Sequence, residues 1–149
     1  AHPAVQLCAA VGAPDAYAGE LPVVFATLRP GAQASAEELM AFTAQHVDEA
    51  PAKPKAITVI EHMPMTNVGK IYKPALRVLA SAQVAQALVD AARLALGTDP
   101  AARVEVLSDE ATGITVHIDA AVPQAAQLQA RLQEVLAPLP VKTRVTLGH

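Results

Sequence analysis

The sequence predicts an α+β fold, and two observations carry that expectation. Short apolar runs of strand length, closed by Gly, Pro and Asp, alternate with longer stretches whose apolar residues recur at helical spacing. The order strand-strand-helix-strand also occurs twice, from Val5 to Ile60 and from Arg103 to Leu147. That order is common, and residue identity between the two stretches is low. Recurrence alone therefore does not make a duplication.

Val5 to Val11 reads as the first strand. Gly12-Ala13-Pro14-Asp15 and then Gly19-Glu20-Leu21-Pro22 read as a loop, because Gly, Pro and Asp favour turn conformations. Val23 to Leu28 is the second strand, closed by Pro30-Gly31, and the turn-rich link makes the pair antiparallel. Ser35 suits a helix N-cap, with Glu38 at the spacing of a capping box. Leu39, Phe42, Thr43 and His46-Val47 share one face of that helix, which should stop before Pro51. Lys53-Pro54-Lys55 is a breaker, and Ile57 to Ile60 is a third strand. A polar segment, Pro64 to Lys70, leads into Ile71 to Arg77.

The second half opens with a helix of roughly 15–20 residues ending at Gly97. Arg103 to Leu107 and Ile114 to Asp119 are strands. Ile114, Val116 and Ile118 alternate with Thr115, His117 and Asp119, the pattern of a half-buried sheet. Pro123 suits the first turn of a last helix, with Leu128, Leu132, Val135 and Leu136 on one face. Pro138 and Pro140 end it. Val141 to Leu147 alternates as the final strand.

Of 149 residues, 52% are hydrophobic and 17% charged, which predicts a real core rather than disorder. Aromatics are 3% and Trp is absent, so the core is built from Ala, Val, Leu and Ile. The net charge of −3, with no basic stripe, argues against nucleic acid as a partner. The most apolar stretch, Val78 to Leu96, is interrupted by Gln83, Gln86, Asp90 and Arg93, so no transmembrane segment is expected. The single cysteine, Cys8, lies in an apolar run and is expected in the core. One unpaired thiol fits a reducing cytoplasm. His2, His46, His62, His117 and His149 show no ligand spacing with Cys or carboxylates, and no protein-bound metal is expected. His117 is expected on the polar face of its strand, and Lys142, Arg144 and Thr146 on a solvated face. The chain lacks an initiator Met and opens almost directly into a strand, which reads as a piece of something longer.

The chemistry is concentrated between Lys53 and Arg77. Gly69-Lys70 invites comparison with a phosphate-binding P-loop, which needs Gly, four residues, Gly-Lys, then Ser or Thr. Here Pro64 replaces the first Gly and Ile71 the hydroxyl residue, so that reading fails. The run Met63-Pro64-Met65-Thr66-Asn67-Val68-Gly69-Lys70-Ile71, closing on Leu76-Arg77, instead resembles the last signature motif of adenylate-forming enzymes. That superfamily includes acyl-CoA synthetases, luciferases and peptide-synthetase adenylation domains. His2-Pro3-Ala4-Val5, Ala9-Ala10-Val11-Gly12, Pro14-Asp15, Gly19-Glu20, Pro22-Val23, Glu37-Glu38-Leu39 and Lys53-Pro54-Lys55 follow the family order too. The resemblance covers roughly the first half of the chain.

The resemblance implies that residues 1–79 are the small C-terminal cap of such an enzyme, a β-β-α-β unit plus the motif loop. Residues 80–149 would be an appended α-β-β-α-β block with no motif of nameable chemistry. It also implies that Lys70 is catalytic. In the family's first half-reaction a carboxylate attacks the α-phosphate of ATP, and an ammonium beside the reacting oxygens stabilises the charge that gathers there. Thr66, Asn67 and Gly69 would shape the substrate and nucleotide loop, Thr66 and Asn67 through side-chain bonds to backbone. Lys53 and Lys55 either contact phosphates or form a solvated basic pair. Lys73 and Arg77 would lie four apart on a short helix, in a surface or packing role. Asp15 and Glu20 match the family's loop as ion-pair partners holding it.

ATP and coenzyme A are the implied cofactors, with Mg²⁺ accompanying ATP. The implied partners are a large N-terminal domain in the same parent chain and a carboxylic acid substrate, with fatty acid metabolism as the setting. In the family the cap turns about a hinge to serve both half-reactions, and the resemblance implies a hinge just before His2, so this piece alone should lack ligase activity. A carrier-protein thiol is an alternative acceptor, but Ser81 and Ser108 sit in the wrong context for a carrier domain. A non-catalytic association or regulatory module is the alternative from another class. The tail is read as a lid or as an association surface, which allows a homo-oligomer. Pro64, four residues, then Gly69-Lys70 also resembles the signature for acetylation of such lysines, which marks Lys70 as a candidate modification site.

Overall fold

The computed structural model describes residues 2–46, 54–98 and 102–148. Val47, Pro51, Lys53 and His149, named above, lie outside them, and of His46 the backbone alone is described. The architecture is α+β, with two three-stranded sheets and three helices among the described residues. The chain divides into two compact units, Ala1–Ala13 with Leu21–Arg77, and Pro14–Glu20 with Val78–His149.

In the first sheet β1 (Val5–Asp15), β2 (Gly19–Leu28) and β3 (Ala56–Val59) lie in that order. The expected loop over residues 12–22 is largely strand, and three residues alone separate β1 from β2. Such a short link returns the chain antiparallel. Pro14 is tolerated because β1 is an edge strand, where a missing N–H breaks no interior ladder. Helix α1 (Ala36–His46) then carries the chain across to β3, which pairs parallel to β2 with Phe25 opposite Thr58. The Glu38 N–H donates to the Ser35 hydroxyl at 3.1 Å, as the capping motif predicts.

Alternate residues Ala9, Val11 and Ala13 of β1 are buried, as are Val23 and Phe25 of β2. That phase turns Cys8 the other way. It is exposed, contrary to the expectation of a core cysteine, because the period-2 side-chain alternation of a strand gives neighbours opposite faces. Cys8 lines a groove of about 280 Å³ with His2, Leu39 and Phe42.

Helix α2 (Lys73–Leu96) is continuous over 24 residues, where a short helix and a separate longer one were expected. Pro74 sits in its first turn, where a missing N–H costs nothing. Past Pro74 the sequence holds no Gly or Pro before Gly97, so nothing stops the helix until then. Gly97 takes φ +68° just past its end, the left-handed conformation common after a helix C-terminus.

The second sheet holds β4 (Val104–Asp109), β5 (Gly113–Asp119) and β6 (Thr143–Gly148) in that order. β4 is antiparallel and β6 parallel to β5. α3 (Ala125–Leu136) makes the crossover. Ile114, Val116 and Ile118 are fully buried, as the alternation predicted, against Ala85 and Val89 of α2 and Leu128, Leu132 and Leu136 of α3. Each of the three leucines contributes about 1.5–3 kcal/mol by burial. Pro123 lies outside α3, contrary to expectation. The helix starts after Gln124, which takes φ +63° with no side-chain cap. Leu147 is in phase with buried Val145 but remains 40% exposed. On the opposite face His117 Nδ1 lies 2.7 Å from Thr146 Oγ1, consistent with its expected polar position.

Both sheets share the strand order and one turn device. Asp15 accepts hydrogen bonds from the Tyr17 and Ala18 N–H groups at 3.0 and 2.8 Å, and Gly19 follows at φ +81°. Asp109 accepts from Ala111 and Thr112 at 2.8 and 3.1 Å, and Gly113 follows at φ +79°. The loop role expected of Asp15 is thus met through backbone bonds. Among the described residues neither Asp15 nor Glu20 forms an ion pair. These N–H donors hold both aspartates below the ordinary carboxylate value of 3.8. A lowered folded-state pKa contributes stability above the unfolded value, and that contribution is lost as pH falls through the folded value. Asp109→Ala should therefore lower the melting temperature at pH 7 by a few degrees. Asp109→Asn, which keeps the acceptor, should lower it less. Thermal melts from pH 7 to pH 3 should show a weaker acid dependence in both variants than in the parent chain.

Candidate functional site

The stretch from Met63 to Tyr72 folds as a small hairpin. Met65 and Ile71 form an antiparallel bridge, and the Tyr72 N–H donates to the Pro64 carbonyl at 2.8 Å. The next rung joins Thr66 and Lys70, the Thr66 N–H donating to the Lys70 carbonyl at 2.7 Å. Three residues, Asn67, Val68 and Gly69, close the loop. The Gly69 N–H donates to the Thr66 carbonyl at 3.0 Å, and Gly69 takes φ +81°. This is the three-residue hairpin in which a turn is followed by a left-handed glycine that forms a bulge. A side chain at Gly69 would meet nothing within 4 Å, so the dihedral alone calls for glycine there.

The bulge leaves the Lys70 N–H without its ladder partner, and the Thr66 hydroxyl accepts it at 3.1 Å. Lys70 is thereby held at both main-chain polar atoms by one residue, while its side chain is exposed. Of the two expected loop-formers, Thr66 supplies the side-chain bond to backbone, and Asn67 occupies the first loop position with an exposed side chain. Met63 is buried at the hairpin base, whereas Met65, Val68 and Tyr72 are 46%, 79% and 40% exposed. Val68 and Met65 are apolar residues presented outward beside Lys70, a feature that the motif spacing alone does not show.

Lys55 is exposed at the entry to β3, its N–H donating to the Pro22 carbonyl at 2.8 Å. Lys73 and Arg77 are exposed in the first turns of α2, four residues apart as expected. Among the described residues no three His, Cys, Asp or Glu side chains converge as a metal site would require. No helix of the described residues is long and apolar enough to cross a membrane.

Residues 1–70 match the family model of the AMP-binding enzyme C-terminal domain. The chain is 36% identical over 140 residues to a marinolic acid–CoA ligase of Pseudoalteromonas sp. (strain SANK 73390), covering 90% of this chain and 21% of that one. It is 42% identical over 73 residues to a long-chain-fatty-acid–CoA ligase of Bacillus subtilis (strain 168), covering 48% of this chain and 13% of that one. Among solved structures, an acyl-CoA synthetase from Brucella canis matches over 56% of this chain and 16% of that one, with 34% identity and a TM-score of 0.49. The chain thus spans about a fifth or less of the curated relatives it matches. The first of these matches is long enough to run well into the second unit, whereas the second covers about as much as the family model. The first 70 residues, which run as far as Lys70 in the bulged hairpin, are thus similar to the AMP-binding enzyme C-terminal domain.

Proposed function

We propose that this chain is the C-terminal cap of an ATP-dependent acid–thiol ligase, which forms an acyl-adenylate and then an acyl-CoA, and that Lys70 stabilises the first step. The observation that carries the reading is the hairpin. It fixes the main chain of Lys70 and leaves the ammonium free to reach a ligand outside the cap. In adenylation the attacking carboxylate and the α-phosphate both bring negative charge to one place. A lysine ammonium held there offsets it, and a preorganised backbone means that little has to reorganise during the reaction. The exposed Lys70 side chain fits a contact with nucleotide phosphates and substrate carboxylate. Lys53 and Lys55 are further candidates for phosphate contact. Mg²⁺ would enter with ATP, held mainly by the large N-terminal domain of the parent enzyme.

The curated relatives include CoA ligases and acetyl-coenzyme A synthetases, which supports the coenzyme A acceptor, and one is named as a 2,3-dihydroxybenzoate–AMP ligase. Full-length ligase carrying this cap should catalyse acid-dependent exchange of pyrophosphate into ATP and then acid-dependent consumption of coenzyme A. A protein that performs no such exchange with any of a panel of carboxylic acids would overturn the reading. Exchange without coenzyme A consumption would move the acceptor to a carrier thiol. We assign the activity to the cytoplasm, where ATP and coenzyme A are supplied.

Residues 80–149 are proposed to be an appended unit that folds around its own core. The match to the marinolic acid–CoA ligase supports its belonging to a ligase rather than to an unrelated association module. A chain ending at Leu79 should keep the first sheet and melt cooperatively by circular dichroism. An unfolded truncation product would mean that the two units depend on one core.

A further inference from the structure

We infer that Thr66 is the positioning residue for Lys70, acting through its hydroxyl rather than through contact with substrate. The inference rests on the reading of Lys70 given above. A bulged hairpin has one extra residue on one strand, which loosens the ladder at that point. Here the residue next to the bulge is Lys70, whose N–H would otherwise lack a partner in the hairpin. The Thr66 hydroxyl takes that N–H at 3.1 Å. The Thr66 N–H holds the Lys70 carbonyl at 2.7 Å, and the Thr66 carbonyl holds the Gly69 N–H at 3.0 Å. All three polar groups of one threonine are thus committed to the two residues that place the ammonium.

The chemistry at position 66 is specific. Serine keeps the hydroxyl. Valine keeps the shape and β-branching but offers no acceptor, so the Lys70 N–H turns to solvent and the bulge can rotate. The lysine remains present and charged, but it is held less well. An ammonium displaced by a fraction of an ångström from the reacting oxygens loses part of its stabilisation of the transition state. Substrate binding, which is dominated by the large domain, is unaffected.

Two measurements test this. In the 149-residue chain, Thr66→Val should raise the amide hydrogen-exchange rate of Lys70 at least about tenfold, and Thr66→Ser should leave it near the parent value. In full-length ligase, Thr66→Val should lower the single-turnover adenylation rate about tenfold with KM for ATP and acid unchanged, and Thr66→Ser should restore it. A Lys70→Ala control separates the two ideas. If Lys70→Ala abolishes adenylation while Thr66→Val is as fast as the parent, the positioning role is wrong. If Lys70→Ala has no effect, the reading of Lys70 itself fails. If Thr66→Ser is as slow as Thr66→Val, or if KM rises while kcat holds, the hydroxyl does not act through Lys70.

Discussion

Replacing Lys70 with alanine in the full-length ligase is expected to slow acyl-adenylate formation by about 10²–10³-fold or more. Removing one well-placed neutral donor from a preorganised site costs that much, and an ammonium carries a full charge. The fold should be untouched, because the Lys70 side chain is exposed and the hairpin bonds to it run through main-chain atoms. Lys70→Arg should recover little of the rate. A guanidinium keeps the charge but spreads it over a planar fork, which does not fit where a compact ammonium is called for. Acetylation of Lys70 removes the same charge and adds bulk, so acetylated enzyme should behave like the alanine variant. Single-turnover formation of acyl-adenylate, with intact-mass confirmation of the modified lysine, measures both.

Gly113→Ala should be the most damaging small substitution in the second unit. Gly113 takes φ +79°, and a Cβ there would collide with the backbone carbonyl oxygen of Lys142. The same carbonyl accepts the Ile114 N–H at 2.8 Å, at the start of the pairing of β5 with β6. A methyl group must therefore either leave the left-handed region or push β6 away. The dihedral costs about 1–2 kcal/mol and the overpacking about 1–3 kcal/mol. For a unit of this size the melting temperature should drop by roughly 10 °C or more. Gly69→Ala is the natural comparison. Its φ is +81°, but nothing lies within 4 Å of the added carbon, so only the dihedral cost applies. Equal losses in thermal melts of the two variants would mean that the close approach to Lys142 contributes nothing.

Several features of this molecule were legible because they depend on local patterns. Ile114, Val116 and Ile118 alternate with polar neighbours, and a strand with one buried face has no other way to place them. Ser35 with Glu38 marks a helix start through chemistry confined to one turn. Cys8 was not legible, because Leu7, Cys8, Ala9 and Ala10 are all apolar and give no phase. The core there is built on small alanines, while Leu7 stays 38% exposed. Pro14 and Gly12 looked like loop signals, but an edge strand tolerates both. The long α2 was split in the sequence reading because the motif ends at Arg77, although no helix breaker stands between Pro74 and Gly97.

The site divides in the same way. Gly69-Lys70 was found from motif order, and Gly69 from its expected backbone freedom. That Thr66 would serve both main-chain atoms of Lys70 was not readable. It depends on the loop having three residues and a bulge, which fixes where the Lys70 N–H points. The repeated Asp, three residues, then Gly at both hairpins was visible in the sequence. Asp15 to Gly19 and Asp109 to Gly113 would have located both turns, and with them the strand ends.

The most direct test separates the two half-reactions of full-length Lys70→Ala ligase. Acyl-adenylate formation is measured in single turnover, and thioester formation is measured from supplied acyl-adenylate and coenzyme A. The account predicts loss of about 10²–10³-fold or more in the first and a rate close to that of the parent enzyme in the second. Equal losses in both, or none in the first, would contradict it.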